Sequence, residues 1–301
     1  MSVASAKDWQ SRQDCQSFLN AMKTAIVTDS TADIAPQVAE TLGIRVIPAI
    51  VVVDGQSYED GQGLSRREFY ERLPEMKRVP TTASPPAGKF EAAYRQMLDS
   101  GYDAVVSIHV SSTLSSICDM ASLGARPFGE RVQVIDSEQL TLGIGFQAIA
   151  AAELAAQGAP MDEIIARVAD TRRRARVYAM LDTLEYVRRS GRVGWARARI
   201  GALLRIKPFV EVYGGRVLDL GKTRTRRKGI AHLLELLEGL GPLERLAILH
   251  TNAEEDALTF RDRITWEHPP NPPIVNVTTV IGTHVGPNGL GFAVVLKDVA
   301  D

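Results

Sequence analysis

An apolar and β-branched run, Thr24-Ala25-Ile26-Val27-Thr28, stops abruptly on the polar Asp29-Ser30-Thr31. A run of this kind, closed by residues that cap helices, predicts a buried strand leading into a helix start. The same switch recurs at 104–110, which ends on Ser111-Ser112-Thr113, and at 131–135, which ends on Asp136-Ser137. Helical segments lie between and after these strands. One starts at Ser65 with capping-box spacing to Glu68, and one at Ser84-Pro85. Residues 138–156 are rich in Ala and Leu, and residues 161–174 are amphipathic. Strands alternating with helices predict βαβ units, hence a mostly parallel sheet with flanking helices. Ligands of such sheets bind beyond the carboxyl ends of the strands, so the three polar tips share one rim. Residues 44–53 read as a further strand with an edge or bulge at Pro48, and residues 79–86 as an extended loop set by prolines.

The pattern changes near residue 178. Residues 208–213 and 216–220 are strand-like and joined by Gly214-Gly215, a hairpin signal. Helix 227–240 follows, then strands at 245–250, 275–281 and 291–297. Mixed hairpins and crossovers predict a second, α+β domain. The expected division is an N-terminal extension over 1–22, an α/β domain over 23–177 and an α+β domain over 178–301.

Composition narrows the function classes. With 45% hydrophobic and 24% charged residues, the 301-residue chain is ordinary globular material. No apolar run approaches a membrane span and no signal-peptide core opens the chain, so a cytoplasmic location is expected. Two cysteines, Cys15 and Cys118, support neither a disulfide framework nor a zinc site, and the five histidines form no metal-binding pair. A net charge of −1 hides a block from Arg172 to Lys228 with 17 basic and 4 acidic residues. Two readings stay open for it: a face for an anionic partner or membrane, or a solvated surface paired locally with Asp182, Glu185 and Glu211. Aromatics interleaved with the arginines fall mostly at predicted core positions, which argues against nucleic acid.

Two motif-like stretches carry little chemistry. Gly143-Ile144-Gly145-Phe146-Gln147-Ala148 spells G-x-G-x-x-A, but inside a helical run rather than in the turn after a strand, so close packing or room for a ligand is expected instead of a dinucleotide. A P-loop is absent, so no ATP site of that type is expected. Asn276-Val277-Thr278 spells a glycosylation sequon within a predicted strand. The histidines differ in company. His109 ends a strand and reads as a satisfied core residue. His284 lies in Gly282-Thr283-His284-Val285-Gly286-Pro287-Asn288-Gly289, read as a glycine-dense loop where backbone and imidazole meet a ligand. Thr82 and the Ser111-Ser112-Thr113/Ser115 cluster precede predicted helices, where hydroxyls and free N–H groups attract anions or act merely as caps.

Together these stretches resemble the DegV family of fatty-acid-binding proteins. The resemblance rests on Ile26 to Asp33, Asp54-Gly55 with Asp60-Gly61, Pro80 to Pro85, Ser107 to Ser112, Val134 to Ser137, Asp182 to Tyr186, Ser190-Gly191-Arg192, Ile206-Lys207-Pro208, Gly221 to Arg226 and Gly282 to Pro287, in family order. It implies two domains with a ligand cleft between them and an apolar tunnel for a long-chain fatty acid. Its carboxylate would meet Thr82, Ser111 or Ser112, and His284. Ser30, Gly143, Ile144 and Arg192 complete the candidate contacts. The family further implies a separate ATP-dependent fatty acid kinase that makes the acyl phosphate, so the chain itself is read as a binding protein without cofactor or metal. The basic block would dock the kinase or an anionic membrane. Thr82-Ala83-Ser84-Pro85 and Ser115-Ser116-Ile117-Cys118-Asp119 depart from the family pattern, which bears on the ligand more than on the fold. The rival reading is a small-molecule enzyme using Asp29, Asp136 and His284 on the strand-end rim.

Overall fold

The structure, a computed structural model, describes residues 22–191 and 206–298. The proposed N-terminal extension, apart from Met22, and Arg192 lie outside the described residues. Strand β1 (Thr24–Asp29) opens into a 3-10 turn (Ser30–Ala32), followed by α1 (Pro36–Thr41), β2 (Arg45–Ile47), β3 (Ile50–Val53) and β4 (Gln56–Glu59). Then come α2 (Arg66–Arg72), β5 (Thr81–Ala83), α3 (Ala87–Asp99), β6 (Ala104–His109), α4 (Ile117–Ala125) and β7 (Val132–Asp136). Helices α5 (Leu142–Ala155) and α6 (Met161–Arg174) lead to β8 (Ala175–Met180) and α7 (Glu185–Arg189). The remainder is β9 (Lys207–Tyr213), β10 (Arg216–Thr223), α8 (Arg226–Glu238), β11 (Leu243–His250), α9 (Glu254–Asp262), β12 (Ile274–Asn276), α10 (Thr279–Val285) and β13 (Leu290–Leu296).

These strands form three sheets. The first is parallel, in the order β2-β1-β6-β7. Every residue of β1 and β6 is buried, as a parallel sheet covered on both faces requires. The second is a six-stranded mixed sheet, β10-β9-β8-β13-β11-β12, with β8 already part of it from Ala175. The third is a small antiparallel sheet, β4-β3-β5.

Helix α5 joins the two large sheets. Ile144, Ala148 and Ala151 pack into the core of the first sheet, while Leu142 and Phe146 pack against Val177, Leu249 and Ala293 of the second. Ten of its residues are buried, which explains why it carries no polar face. A Cβ on Gly143 would stand 2.7 Å from Gln139 Oε1, so the G-x-G spelling serves close packing.

Two sequence expectations change. Residues 44–53 are two strands in two different sheets. The chain switches sheet at Pro48-Ala49, where Pro48 has no N–H for a ladder and the Ala49 N–H donates to Ser30 Oγ at 3.1 Å. Residues 275–281 are not one strand: β12 ends at Asn276 and α10 begins at Thr279. Thr278 accepts the Val280 N–H at 3.3 Å as helix cap, and its own N–H donates to Asp33 Oδ1 at 2.9 Å. A partner 245 positions away thus overrides a local β-branched pattern.

Candidate functional site

A cavity of about 190 Å³ lies between the second sheet, α10 and the 110–115 loop. Its apolar walls include Val177 and Ala179 of β8, Val210 and Val212 of β9, Leu249 of β11 and Ile281 of α10. The polar side chains on its lining are Thr31, Thr82, Ser115, Thr141, His250, Thr251 and His284. Among the described residues, no Lys, Arg, Asp or Glu lines it. Among the described residues the site is therefore an apolar chamber with hydroxyl and imidazole groups and no fixed charge.

Its most defined polar contact joins two residues 202 positions apart. Thr82 Oγ1 and His284 Nε2 are hydrogen-bonded at 3.1 Å. Thr82 reaches the cavity because β5 pairs with β3, setting Thr82 opposite Val51. His284 arrives from the last turn of α10, not from the loop that its glycines predict. Those glycines instead let the helix lie directly on two aromatic rings. A Cβ on Gly282 would overlap Tyr70, and one on Gly286 would overlap Tyr186. Gly286 also has φ 79, a left-handed conformation that ends the helix.

The other candidates separate. Ser111 is buried, and its hydroxyl pairs with Thr113 Oγ1 at 3.0 Å. Ser112 is exposed, and its hydroxyl donates to Asp136 Oδ2 at 2.5 Å. Neither lines the cavity; Ser115 of the same loop does. Ser30 accepts from Ala49 and its neighbour Thr31 lines the cavity instead. Gly143 and Ile144 are packed inside α5 and are not on the cavity wall. Ser115 belongs to the hydroxyl cluster visible in the sequence. Thr31, Thr141 and Thr251 carried no signal beyond a position next to a strand end or helix start.

The rim of acids and histidine is not assembled. Asp29 is fully buried and saturated: one oxygen accepts the Thr31 N–H and hydroxyl, and the other accepts from His109 Nδ1 at 3.0 Å and the Val110 N–H at 3.2 Å. His109 Nε2 pairs with Ser107 Oγ at 2.7 Å, and Tyr94 donates to that hydroxyl at 2.9 Å, so His109 is a satisfied core residue. Asp136 accepts from Ser112 and from the Glu138 N–H at 2.8 Å. Neither acid lines the cavity that His284 lines, so the three do not form an acid–base set.

His250 Nδ1 accepts the Ala253 N–H at 3.1 Å, which assigns the ring proton to Nε2, and burial lowers its pKa. Burial pushes the Cys118 thiol up to about 11, so it is not a nucleophile at neutral pH. Among the described residues, no group of three His, Cys, Asp or Glu is placed to hold a metal ion. No helix among them is long and apolar enough to cross a membrane.

Much of the basic block is paired within the chain. Arg174 bridges Asp170 and Glu244, Arg176 lies 3.6 Å from Glu211 and Arg189 lies 3.5 Å from Glu185. Lys207 pairs with Asp182, and Arg226 with Asp256. Arg224, Arg227 and Lys228 are exposed.

Comparison with known proteins gives a consistent answer. The family profile described as "Uncharacterised protein, DegV family" matches residues 23–297. A DegV domain-containing protein of Deinococcus radiodurans is 37% identical over 276 residues, covering 90% of this chain and 98% of its own. The structure of a DegV family protein from Thermus thermophilus, described for its fatty acid binding, superposes with a TM-score of 0.85 at 30% identity, covering 92% of this chain and all of that one. Bacillus subtilis DegV, described as a fatty acid binding protein, superposes with a TM-score of 0.80 at 34% identity and the same coverage.

Proposed function

The chain belongs to the DegV family, and from that premise we propose that it binds one long-chain fatty acid, with the tail in the apolar cavity and the carboxylate at Thr82 and His284. The observation that carries this reading is the cavity itself: apolar walls, a Thr82–His284 pair, and no charged residue on its lining among the described residues. Burying roughly 15 methylenes at about 0.8 kcal/mol each gives on the order of 12 kcal/mol gross. Association and chain ordering cost several kcal/mol of this, and a ligand that co-purifies is still expected. Hydroxyl and imidazole donors hold the carboxylate less firmly than an arginine fork does.

A head group held this way stays available for chemistry. We place the phosphorylation step on a separate ATP-dependent fatty acid kinase. A carboxylate oxygen attacks the γ-phosphorus, ADP leaves, and the acyl phosphate stays in the cavity. The exposed Arg224, Arg227 and Lys228 fit a docking face for that kinase or an anionic membrane. Arg226 does not belong to this face, since its guanidinium is engaged by Asp256. Arg224→Ala/Arg227→Ala is expected to slow acyl phosphate formation by the partner kinase and to leave fatty acid affinity unchanged. Equal loss of both would remove these residues from docking.

The binding reading is tested by denaturing extraction of the purified protein and mass spectrometry of the lipid, with Thr82→Ala/His284→Ala alongside. Stoichiometric fatty acid in the wild type, reduced at least tenfold in the variant, is the expected result; losing two head-group contacts at about 1 kcal/mol each corresponds to roughly that factor or more. Absence of lipid in both samples, with no uptake of added oleate, would overturn it.

A further inference from the structure

The acyl site is held by a buried carboxylate that does not touch it. Asp33 closes the 3-10 turn after β1 with φ 54, and its side chain is fully buried. One oxygen, Oδ1, accepts from Arg66 at 2.8 Å and from the Thr278 N–H at 2.9 Å. The other, Oδ2, accepts from the Thr141 hydroxyl at 2.7 Å. These donors come from three parts of the molecule. Arg66 begins α2, which packs under the small sheet that carries Thr82. Thr278 caps α10, which carries His284. Thr141 precedes α5 and lines the cavity.

Other contacts tighten the same point. Arg66 also donates to the Asn276 carbonyl at 2.5 Å, Thr279 donates to Asp60 Oδ1 at 2.8 Å and Tyr70 donates to the Val277 carbonyl at 2.9 Å. Helix α10 is short, so its first residue and His284 are five positions apart, roughly 7.5 Å along the axis. Fixing its start therefore fixes the place of His284 against Thr82. Thr141 shows what is held on the other side. Its backbone sits at φ 47, ψ −142, a region that a β-branched residue populates only when its surroundings impose it.

We infer that Asp33 is a positioning residue of the fatty acid site: its negative charge holds Thr141 and the start of α10 at once and so keeps the cavity wall and the head-group pair in their ligand-holding arrangement. The inference rests on the fatty-acid-binding reading. Its chemistry is specific. All three partners donate to Asp33, and a neutral acid must itself donate from one oxygen. Arg66 and the Thr278 N–H cannot accept. The Thr141 hydroxyl can, so protonation acts on Thr141, which is the strained residue on the cavity wall.

The charged groups around Asp33 are Arg66 and Asp60; Tyr70, whose phenol burial keeps protonated, Thr141 and Thr278 are neutral neighbours. Burial pushes the Asp33 carboxyl up to about 6, against the lowering influence of Arg66. The folded chain therefore binds this proton more tightly than the unfolded chain. Its contribution to stability is fully present below pH 3.8 and is lost as pH rises through 6. At neutral pH the molecule carries a buried charge at the expense of stability. A neutral replacement should then keep or raise the melting temperature while weakening ligand binding, and a residue that only supports the fold would lower both.

The test uses delipidated full-length protein and oleate, with affinity and Tm measured from pH 5 to 8. Wild type is expected to lose affinity as pH falls through about 6. Asp33→Asn is expected to bind oleate roughly tenfold more weakly at pH 7.5, the size of effect typical of residues coupled to a site without touching ligand. Its Tm should be unchanged or higher, and the affinity loss around pH 6 should be absent, which separates Asp33 from titration of His284 or of oleate itself. Arg66→Gln should move the acid midpoint upward, because Arg66 favours the charged carboxylate. Asp33→Asn with wild-type affinity and pH profile, affinity and Tm falling together, or an unmoved midpoint in Arg66→Gln would each overturn the inference. Failure of wild type to bind oleate at pH 7.5 would instead remove the fatty acid reading. The imidazole NMR signals of His284 then decide the positioning claim without ligand. They should differ between wild type and Asp33→Asn while those of His232 and His268 stay in place, and unchanged His284 signals would overturn it.

Discussion

Ala179→Phe is expected to abolish stoichiometric fatty acid retention and to leave the fold intact. Ala179 lies on β8, hydrogen-bonded between β9 and β13, yet it remains half-exposed because its side chain faces the cavity. An aromatic ring placed there enters open space, so the overpacking cost of a filled core does not apply. The same ring takes the volume that the acyl tail needs. Excluding about four methylenes at about 0.8 kcal/mol each removes roughly 3 kcal/mol of binding, near a hundredfold in affinity. Oleate titration of the delipidated variant measures the loss, and thermal unfolding checks that Tm is unchanged or raised. Wild-type oleate affinity in a folded variant would place the tail outside this cavity.

One methyl group a strand away has the opposite effect. Gly291 pairs with Ala179 across β8 and β13, and a Cβ on it would collide with the Tyr178 carbonyl oxygen and stand 3.0 Å from Ala179 Cα. Those are backbone atoms of a central strand and cannot rotate away. Leu290 and Phe292 on either side are buried, so the strand cannot shift either. Gly291→Ala is expected to cost about 3 kcal/mol, the upper end for overpacking. In a chain of this size that lowers Tm by roughly 5 °C. A loss below about 1 kcal/mol in urea titration would show that the β8–β13 spacing is softer than the close approach implies. A ring tolerated at 179 and a methyl rejected at 291 would together show that the cavity beside this strand pair has room while the spacing between its two backbones has none.

The parallel sheet was legible because its strands are short, apolar on both faces and stopped by polar residues at their carboxyl ends. Burial on both sides is a local property, and β1 and β6 show it at every position. The lack of a polar face on α5 was visible as an Ala/Leu run, although its place between two sheets was not. His284 stands out through its glycines, but the sequence does not tell what those glycines are for. They mark close contacts of a helix with Tyr70 and Tyr186, not a loose loop. Ser111, Ser112 and Ser115 look equivalent in the sequence. Asp136 draws the Ser112 hydroxyl outward, and only Ser115 is left on the cavity lining. That selection depends on an acid at the end of the next strand.

The order of apolar runs and polar stops along this chain determined by itself the βαβ half, the change to a mixed second half and the concentration of basic charge. Each of these follows from periodicity or composition over neighbouring residues. Tertiary structure alone decided where the chain leaves one sheet for another at Pro48, why residues 279–285 are helix, and which hydroxyls face the cavity. The physical reason is the same in each case: the deciding hydrogen bond comes from a distant part of the chain. Ser30 takes the Ala49 N–H, Asp33 takes the Thr278 N–H across 245 positions, and Thr82 meets His284 across 202. Buried donors and acceptors must find partners, and no local pattern names a partner that far away.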